Sequence, residues 1–412
     1  MKISVLTLGC KVNQAESAIL EGDLRKQGIE VVSLSEHPDF CIINTCTVTA
    51  KSDYQSRQLT RRAIKAGAKI IVTGCYAHIR PEEILKIDRS ARIVNNSEKS
   101  NIINILSKYY ASTGFVSSGR SRPFIKVQDG CNNACTYCIV PRARGRSKSI
   151  QMHEVIRQIL ECEDAGYHEI VLTGVHLGLY GLDISPKTNL SHLLDAIRKN
   201  TKIARIRLSS LEINEFTDAI LEQIQDPRIC KHLHIPLQSG DDSILQKMNR
   251  HYTLKEYRDI IEKIKKRSPD IAIGTDVIVG FPGEGEKEFE NTNNFLEEMP
   301  FSYLHIFPFS SRPGTKASKM PLQIPFKVKK KRAYALKLIH TRKKNEYMRT
   351  QLHKTLDVII EDKVYDDCFT GTTGNYLKIR ISGNNLSRQS LIYVRVAGIE
   401  ENALVGIPIR NT

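Results

Sequence analysis

The chain contains no tryptophan, so stacking of a nucleobase or another flat ligand falls to tyrosine, phenylalanine, histidine or arginine. It has no apolar run near the ~20 residues that span a bilayer. The opening Met1-Lys2-Ile3-Ser4-Val5-Leu6 runs directly into a strand pattern, without the basic flank, apolar stretch and small-residue cleavage site of a signal peptide. Ile409-Arg410-Asn411-Thr412 carries no lipidation motif. A soluble cytoplasmic protein with no membrane partner is expected. Acidic residues are also scarce, 45 against 61 Lys and Arg, which leaves a net charge of +16. That balance disfavours a basic partner and favours a polyanion through counterion release.

The 412 residues, 41% hydrophobic, suffice for more than one core. Strand-like Ile3–Leu8, Phe40–Asn44 and Lys69–Thr73 alternate with helical Ala15–Gln27, Lys51–Ala66 and Pro81–Lys86. Such alternation predicts a parallel sheet covered by helices. Ser112–Arg122 reads as a linker. Beyond it, strands are expected at Phe124–Gln128, Glu169–Thr173, Ala204–Ser209, His232–Pro236, Ile271–Val279 and Tyr303–Phe307. Helical stretches such as Gln151–Ala165, Leu254–Lys265 and Glu286–Glu298 separate them. Six βα steps predict a partial or complete α/β barrel with its site at the carboxyl ends of the strands. Pro325–Arg349 is helical and heavily basic, equally suited to a solvated face or to nucleic acid. Thr355–Glu361, Tyr376–Ile381 and Leu391–Ile399 then alternate as strands of a small β-barrel. The expected fold class is therefore α/β in three regions: 1–112, 117–348 and 349–412.

Ten cysteines in a reducing compartment point to metal or catalysis before disulfides. Cys131, Cys135 and Cys138 stand at C-x3-C-x2-C spacing, directly after the first strand of the expected barrel. Three thiolates on one loop can hold three irons of a 4Fe-4S cluster and leave the fourth open. The amino and carboxylate groups of S-adenosylmethionine (SAM) can chelate that iron, and an electron from the cluster can release a 5′-deoxyadenosyl radical. A structural zinc site would need a fourth ligand, and no partner pair stands nearby at ribbon spacing. Tyr137 suits a ring packed beside the adenine. Cys10, Cys46 and Cys75 each follow a strand, in Leu6-Thr-Leu-Gly-Cys10, Ile42-Ile-Asn-Thr-Cys46 and Ile71-Val-Thr-Gly-Cys75. The carboxyl ends of parallel strands share one edge, so these thiols are expected to converge on a second cluster, three buried small residues being the alternative. Cys41, Cys162, Cys230 and Cys368 lack such a setting and read as packing or surface residues. Arg142, Arg144, Arg146 and Lys148 suit either phosphate or SAM carboxylate contact, or an exposed basic turn.

From residue 1 to nearly 412 the chain resembles the methylthiotransferases. The resemblance rests on Thr7-Leu-Gly-Cys-Lys-Val-Asn-Gln14, Asn44-Thr-Cys-Thr-Val-Thr49 and Gly130-Cys-Asn-Asn-Ala-Cys-Thr-Tyr-Cys-Ile-Val-Pro141. Leu172–Gly181, Arg207–Glu212, His234–Gly240, Thr275–Glu284 and Gly371–Tyr376 carry it further. Within the family the chain is most similar to the branch acting on N6-threonylcarbamoyladenosine. The resemblance implies a methylthiotransferase N-terminal domain, a radical SAM core and a C-terminal TRAM-like domain over the three regions above. It implies two 4Fe-4S clusters with the six cysteines as ligands, and SAM contacts at Thr173, Gly174, Ser209, Ser210, Gln238 and Ile278. Where many radical SAM cores carry Gly-Gly-Glu, this chain has Thr173-Gly174-Val175.

The expected activity is addition of a methylthio group to position 2 of N6-threonylcarbamoyladenosine at position 37 of tRNA. SAM would serve both as methyl donor and as radical source, with an electron donor such as flavodoxin and a sulfur source left open. The anticodon loop is the expected partner, because an unstacked loop base can reach a barrel mouth at low cost. No side chain is assigned as a catalytic acid or base. The rivals are action on N6-isopentenyladenosine in tRNA, action on a ribosomal protein, and a non-catalytic iron–sulfur RNA-binding sensor. A basic ribosomal protein would be repelled by a +16 enzyme, and a sensor has no need of an open, SAM-binding iron.

Overall fold

The computed structural model describes residues 1–107, 121–365, 367–383 and 386–409. The expected linker Ser112–Arg122, apart from Ser121 and Arg122, lies outside them.

Strands β1 (Lys2–Thr7), β2 (Glu30–Val31), β3 (Phe40–Thr45), β4 (Lys69–Gly74) and β5 (Arg92–Ile93) form a parallel sheet in the order β2-β1-β3-β4-β5. Both faces of this sheet are covered, which is why its central strands read as continuous apolar runs. Cys41, Ile43, Ile70 and Val72 enter one core and Ile3, Ile42 and Ile71 the other. Five helices accompany the sheet: α1 (Lys11–Lys26), α2 (Ala50–Lys65), α3 (Cys75–Ile79), α4 (Pro81–Leu85) and α5 (Ile102–Ser107). Helix α2 starts where Thr49 and Ser52 exchange hydrogen bonds as a capping box.

The second unit opens with β6 (Phe124–Lys126), followed by β7 (Gln128–Asp129) and β8 (Lys148–Ser149). The antiparallel β7–β8 rung closes the cysteine loop and α6 (Val140–Arg144) between its strands. The βα alternation then runs through α7 (Met152–Asp164), β9 (Glu169–Thr173), α8 (Leu190–Asn200), β10 (Arg205–Leu208) and α9 (Asp218–Gln223). It continues with β11 (His232–His234), α10 (Asp242–Lys247), α11 (Leu254–Arg267), β12 (Ala272–Val279), α12 (Glu286–Glu298) and β13 (Tyr303–Pro308). The parallel sets β10-β9-β6 and β11-β12-β13 are joined by an Ile206–Ile229 bridge. Among the described residues no pairing joins β6 to β13, so the barrel is an open arc.

Strand alternation sorts its two faces. Ile170, Leu172, Ile206, Leu208, Leu233, Ile273, Val277 and Leu304 pack into the large core beneath the helices. The residues between them, Glu169, Arg205, Arg207, His232, His234, Asp276, Tyr303 and His305, line the lumen and bond to one another.

Helix α13 (Phe326–Arg349) leads into a closed barrel of β14 (Thr355–Tyr365), β15 (Cys368–Thr373), β16 (Lys378–Ser382), β17 (Leu391–Glu400) and β18 (Ala403–Pro408), in the order β14-β15-β16-β18-β17. Two of these strands, β15 and β18, are additional to the expected three; small and β-breaking residues such as Gly371, Gly406 and Pro408 mask their period. Helix α13 divides its charge. Arg332 pairs with Glu284 at 2.8 Å, and Lys343 caps the Glu297 and Met299 carbonyls at 2.9 and 2.7 Å. Lys327, Lys330, Lys331 and Lys337 form an exposed stripe with Tyr334 and Leu338. The basic run is therefore part structural, part free surface.

Buried ion pairs tie the units together. Glu16 of α1 pairs with Lys99 of its own unit and, at 3.0 Å each, with Lys126 and Arg144 of the arc. Arg144 also meets Asp129 at 2.7 Å and is almost fully buried, so the expectation of an exposed or ligand-facing Arg144 is corrected: it is an inter-unit strut. Arg312 reaches back to Asp53 at 2.5 Å. Burial alone would raise the Glu16 carboxyl, but Lys99, Arg144 and Lys126 hold it well below the usual carboxylate range.

Glu16→Gln keeps the shape, strips Lys99 of its carboxylate partner and leaves Lys126 and Arg144 to share Asp129, which should cost roughly 3 kcal/mol of stability at pH 7. A depressed carboxylate contributes stability above its unfolded pKa of about 4.3 and loses it as pH falls. Thermal melts of the two proteins should therefore converge as pH drops below that value.

Candidate functional site

Cys10 is the N-cap of α1, Cys46 follows β3, and Cys75 opens α3 immediately after β4. All three stand at the carboxyl edge of the first sheet, as strand order requires. Two asparagines join their loops. Asn13 donates to the Leu8 carbonyl at 2.7 Å and the Thr45 carbonyl at 3.1 Å, while Asn44 donates to the Asn13 carbonyl at 3.0 Å. Ser56 holds both backbone groups of Cys46. Gly74 has φ +96, and a Cβ there would lie 2.3 Å from the Thr45 carbonyl oxygen, so only glycine admits Cys75 at this spot. Cys10 is exposed, whereas Cys46 and Cys75 are buried. Burial pushes the Cys46 thiol up to about 11 and raises that of Cys75 against the opposing pull of Arg144 and Lys99.

The second trio lies on the loop between β7 and α6. Gly130, at φ +71, lets Cys131 donate its amide to the Gly145 carbonyl at 3.1 Å; a Cβ on Gly130 would sit 2.1 Å from the Arg146 carbonyl oxygen. The other wall of the arc pins the loop. Thr136 donates its amide to the Met248 carbonyl at 3.0 Å and its hydroxyl to the Lys247 carbonyl at 2.9 Å, and Asn249 donates to Ala134. Two basic side chains approach the sulfurs: His176 lies 3.4 Å from Cys131 Sγ, and Arg250 donates to Cys135 Sγ at 3.5 Å. Each is backed by a carboxylate, Glu215 and Glu212 respectively. Sequence reasoning gave none of these four a role, although His176 lies inside Leu172–Gly181. Hydrogen bonds of this kind tune a cluster's potential.

The elements that carry the two trios pack together. Helix α3, begun by Cys75, packs against α6, which follows Cys138. Asn96 donates to the Ala143 carbonyl at 2.6 Å and lies 4.0 Å from Cys75 Sγ. Beside Cys138 is a cleft of about 210 Å³, lined by Val48 and Thr49 of the first unit and by Tyr137, Gln238, Asp276 and Ile278 of the arc.

The residues expected to touch SAM fall into two groups. Tyr137, Gln238 and Ile278 share the cleft, with Tyr137 packed on the cluster of Ile278, Phe281 and Phe309. Thr173, Gly174, Ser209 and Ser210 stand at the ends of β9 and β10, outside its lining. Ser209 Oγ is buried without a hydrogen-bond partner from the described residues. Gly174 instead makes room for Gln128, whose Oε1 accepts from the His176 amide at 2.8 Å.

Among the described residues one group offers three metal-type ligand atoms within 4.8 Å of one another, namely His234, Asp276 and His305; neither cysteine trio draws in that tightly. The His–Asp group is hydrogen-bonded in itself, at 2.8 Å for His234 and 3.2 Å for His305, and runs on through Tyr303 to His232. Its signal was the alternation of His232 with His234 and of Tyr303 with His305 along two strands.

A family described as "Radical SAM superfamily" matches residues 125–296, and one described as "Uncharacterized protein family UPF0004" matches residues 2–96. The chain is 38% identical over 407 residues to "Threonylcarbamoyladenosine tRNA methylthiotransferase MtaB" of Aquifex aeolicus, covering 93% of this chain and 97% of that one. The protein of the same name from Bacillus subtilis is 37% identical, covering 95% and 92%. "tRNA-2-methylthio-N(6)-dimethylallyladenosine synthase" of Ehrlichia canis is 31% identical, covering 98% of each. The radical SAM methyltransferase TsrM from Kitasatospora setae shares the fold at a TM-score of 0.57 and 13% identity, over 77% of this chain and 76% of that one. The superfamily brings with it a 4Fe-4S cluster and SAM, which the donor set at Cys131, Cys135 and Cys138 fits.

Gly130→Ala should force the cysteine loop off the β8 side at a cost of roughly 1–3 kcal/mol. Iron assays after anaerobic reconstitution should show a clear deficit, with the far-UV spectrum unchanged.

Proposed function

The chain belongs to the radical SAM methylthiotransferase family, and on that footing we propose that it methylthiolates position 2 of N6-threonylcarbamoyladenosine at position 37 of tRNA. The observation that carries the reading is a cysteine trio on each of two units that pack together through α3 and α6, on a chain alignable along almost its whole length with relatives of that name. Identity to the threonylcarbamoyladenosine relatives exceeds that to the dimethylallyladenosine enzyme cited above, 38% against 31%.

In this reading Cys131, Cys135 and Cys138 hold the SAM-binding cluster, and Cys10, Cys46 and Cys75 hold a second 4Fe-4S cluster. When bound, the clusters and SAM supply the radical and the methylated sulfur that an inert aromatic carbon requires. The chain's own residues arrange the meeting. Tyr137 and Ile278 wall the cleft against water, while Gln238 and Ser209 offer polar atoms toward SAM. Asn13 and Asn44 hold the Cys10 and Cys46 loops together. The exposed stripe of Lys327, Lys330, Lys331 and Lys337, with Tyr334 among them, suits the phosphates and an unstacked base of an RNA loop. A tRNA substrate would put the protein in the cytoplasm with a flavodoxin-like reductant.

Deleting the gene should remove the methylthio form of threonylcarbamoyladenosine from total tRNA nucleosides measured by mass spectrometry. Persistence of that form, with no second such enzyme in the cell, refutes the substrate. Cys10→Ala should lower iron per chain by about half if two clusters of equal size are present, and unchanged iron refutes the second cluster. Replacing Lys330 and Lys331 by Glu should weaken tRNA binding about tenfold and reduce its salt slope by about one per lysine.

A further inference from the structure

The lumen beyond the cleft carries a charge that the protein leaves unanswered. Glu169 is fully buried and accepts from Arg207 at 2.7 Å and Arg205 at 2.5 Å. Arg205 also meets Asp357 at 3.1 Å, and Arg207 donates to the Gly374 and Thr373 carbonyls at 3.1 and 3.0 Å. Arg122 pairs with Glu361 at 2.7 Å. Asp276 is taken up by His234 and His305. The remaining cation is Lys11, the first residue of α1 and the neighbour of Cys10. Its Nζ lies 5.9 Å above the Tyr376 ring, which also stands against Arg207 at 5.1 Å, His232, stacked at 4.4 Å, and Tyr303 at 6.1 Å. Among the described residues Lys11 Nζ has no hydrogen bond and no ion pair.

An ammonium in such a place costs stability unless an anion completes it. The chemistry of the proposed substrate provides one. In adenine, C2 and N6 lie on one edge with only N1 between them. A base whose C2 faces the sulfur side of Cys10 must therefore send its N6 substituent into the neighbouring space. A threonylcarbamoyl substituent ends in a free carboxylate, whereas an isopentenyl substituent is an uncharged hydrocarbon. We propose that Lys11 is the specificity-determining cation of the site, pairing with the carboxylate carried on N6 of the target adenosine. The assignment rests on the substrate reading given above. It makes discrimination two-sided: the carboxylate gains a charge-assisted partner, and a hydrocarbon in the same space leaves the ammonium desolvated and alone.

The test uses anticodon stem-loop RNAs carrying N6-threonylcarbamoyladenosine, its carboxamide analogue, or N6-isopentenyladenosine. Binding to the reconstituted full chain is read by fluorescence anisotropy, and conversion by mass spectrometry. Wild type should prefer the carboxylate to the carboxamide by about ten- to hundredfold in binding. Lys11→Gln should lose that preference with its iron content unchanged, and Lys11→Arg should keep most of it. A Lys11→Gln protein that holds its iron and still prefers the carboxylate overturns the proposal. So does a wild type that converts the threonylcarbamoyl RNA yet is indifferent to the carboxylate, and that result leaves the substrate reading standing. Conversion of the isopentenyl RNA alone overturns both. Should Lys11→Gln fail to hold iron, the wild-type preference between carboxylate and carboxamide decides.

Discussion

The architecture depends on the burial of Glu16 among cations from two units. The carboxylate stands on α1, less than two turns beyond Cys10, and it draws Lys99, Lys126 and Arg144 toward that helix. Arg144 closes the helix that follows Cys138, so the same contact that joins the units ties that helix to the one capped by Cys10. A buried carboxylate with three cationic neighbours has few alternative arrangements, because any displacement strands a charge in low dielectric. Apolar packing alone, being non-directional, would tolerate sliding of the first sheet along the arc.

A second polar centre, around Glu169, does for the C-terminal barrel what Glu16 does for the first sheet. Arg205 and Arg207 pass through the lumen and end on carbonyls of the strand and turn from Thr372 to Gly374. Burial would raise the Glu169 carboxyl, yet Arg207 and Arg205 hold it at about 2, so the anchor stays charged at any physiological pH. The turn it grips carries Tyr376 to the base of the lumen, against His232 and Tyr303. The C-terminal barrel thus forms part of the chamber wall as well as an outer surface.

Much of this was legible in the sequence, for local reasons. The strands of the first sheet and the arc announced themselves through period and length, Cys10, Cys46 and Cys75 through their position after strands, and Cys131, Cys135 and Cys138 through their spacing. Three of the six follow a glycine of positive φ, namely Gly9, Gly74 and Gly130, a local requirement that sequence can express. Illegible were the residues whose meaning is a distant partner. Arg144 reads as one more base in a basic turn until Glu16, 128 residues away, is seen beside it. Arg250 and Glu212 meet only once the arc has curved. His232 and His234 alternate visibly, but their link to Asp276 requires the register of β11 on β12. Strands β15 and β18 were missed because small residues blur their alternation. The expected SAM contacts divide between cleft and strand ends because a shared sheet edge fixes a neighbourhood and not a distance.

The turn at Tyr376 also bears on the order of assembly. A chain emerging amino end first exposes the first sheet, then the arc, and only afterwards the segment that floors the lumen. Both cysteine trios therefore exist, with their glycines and clamps, while the chamber is still open from below. The floor of the chamber is thereby the last part of it to be synthesised, by nothing more than the position of one tyrosine along the polypeptide.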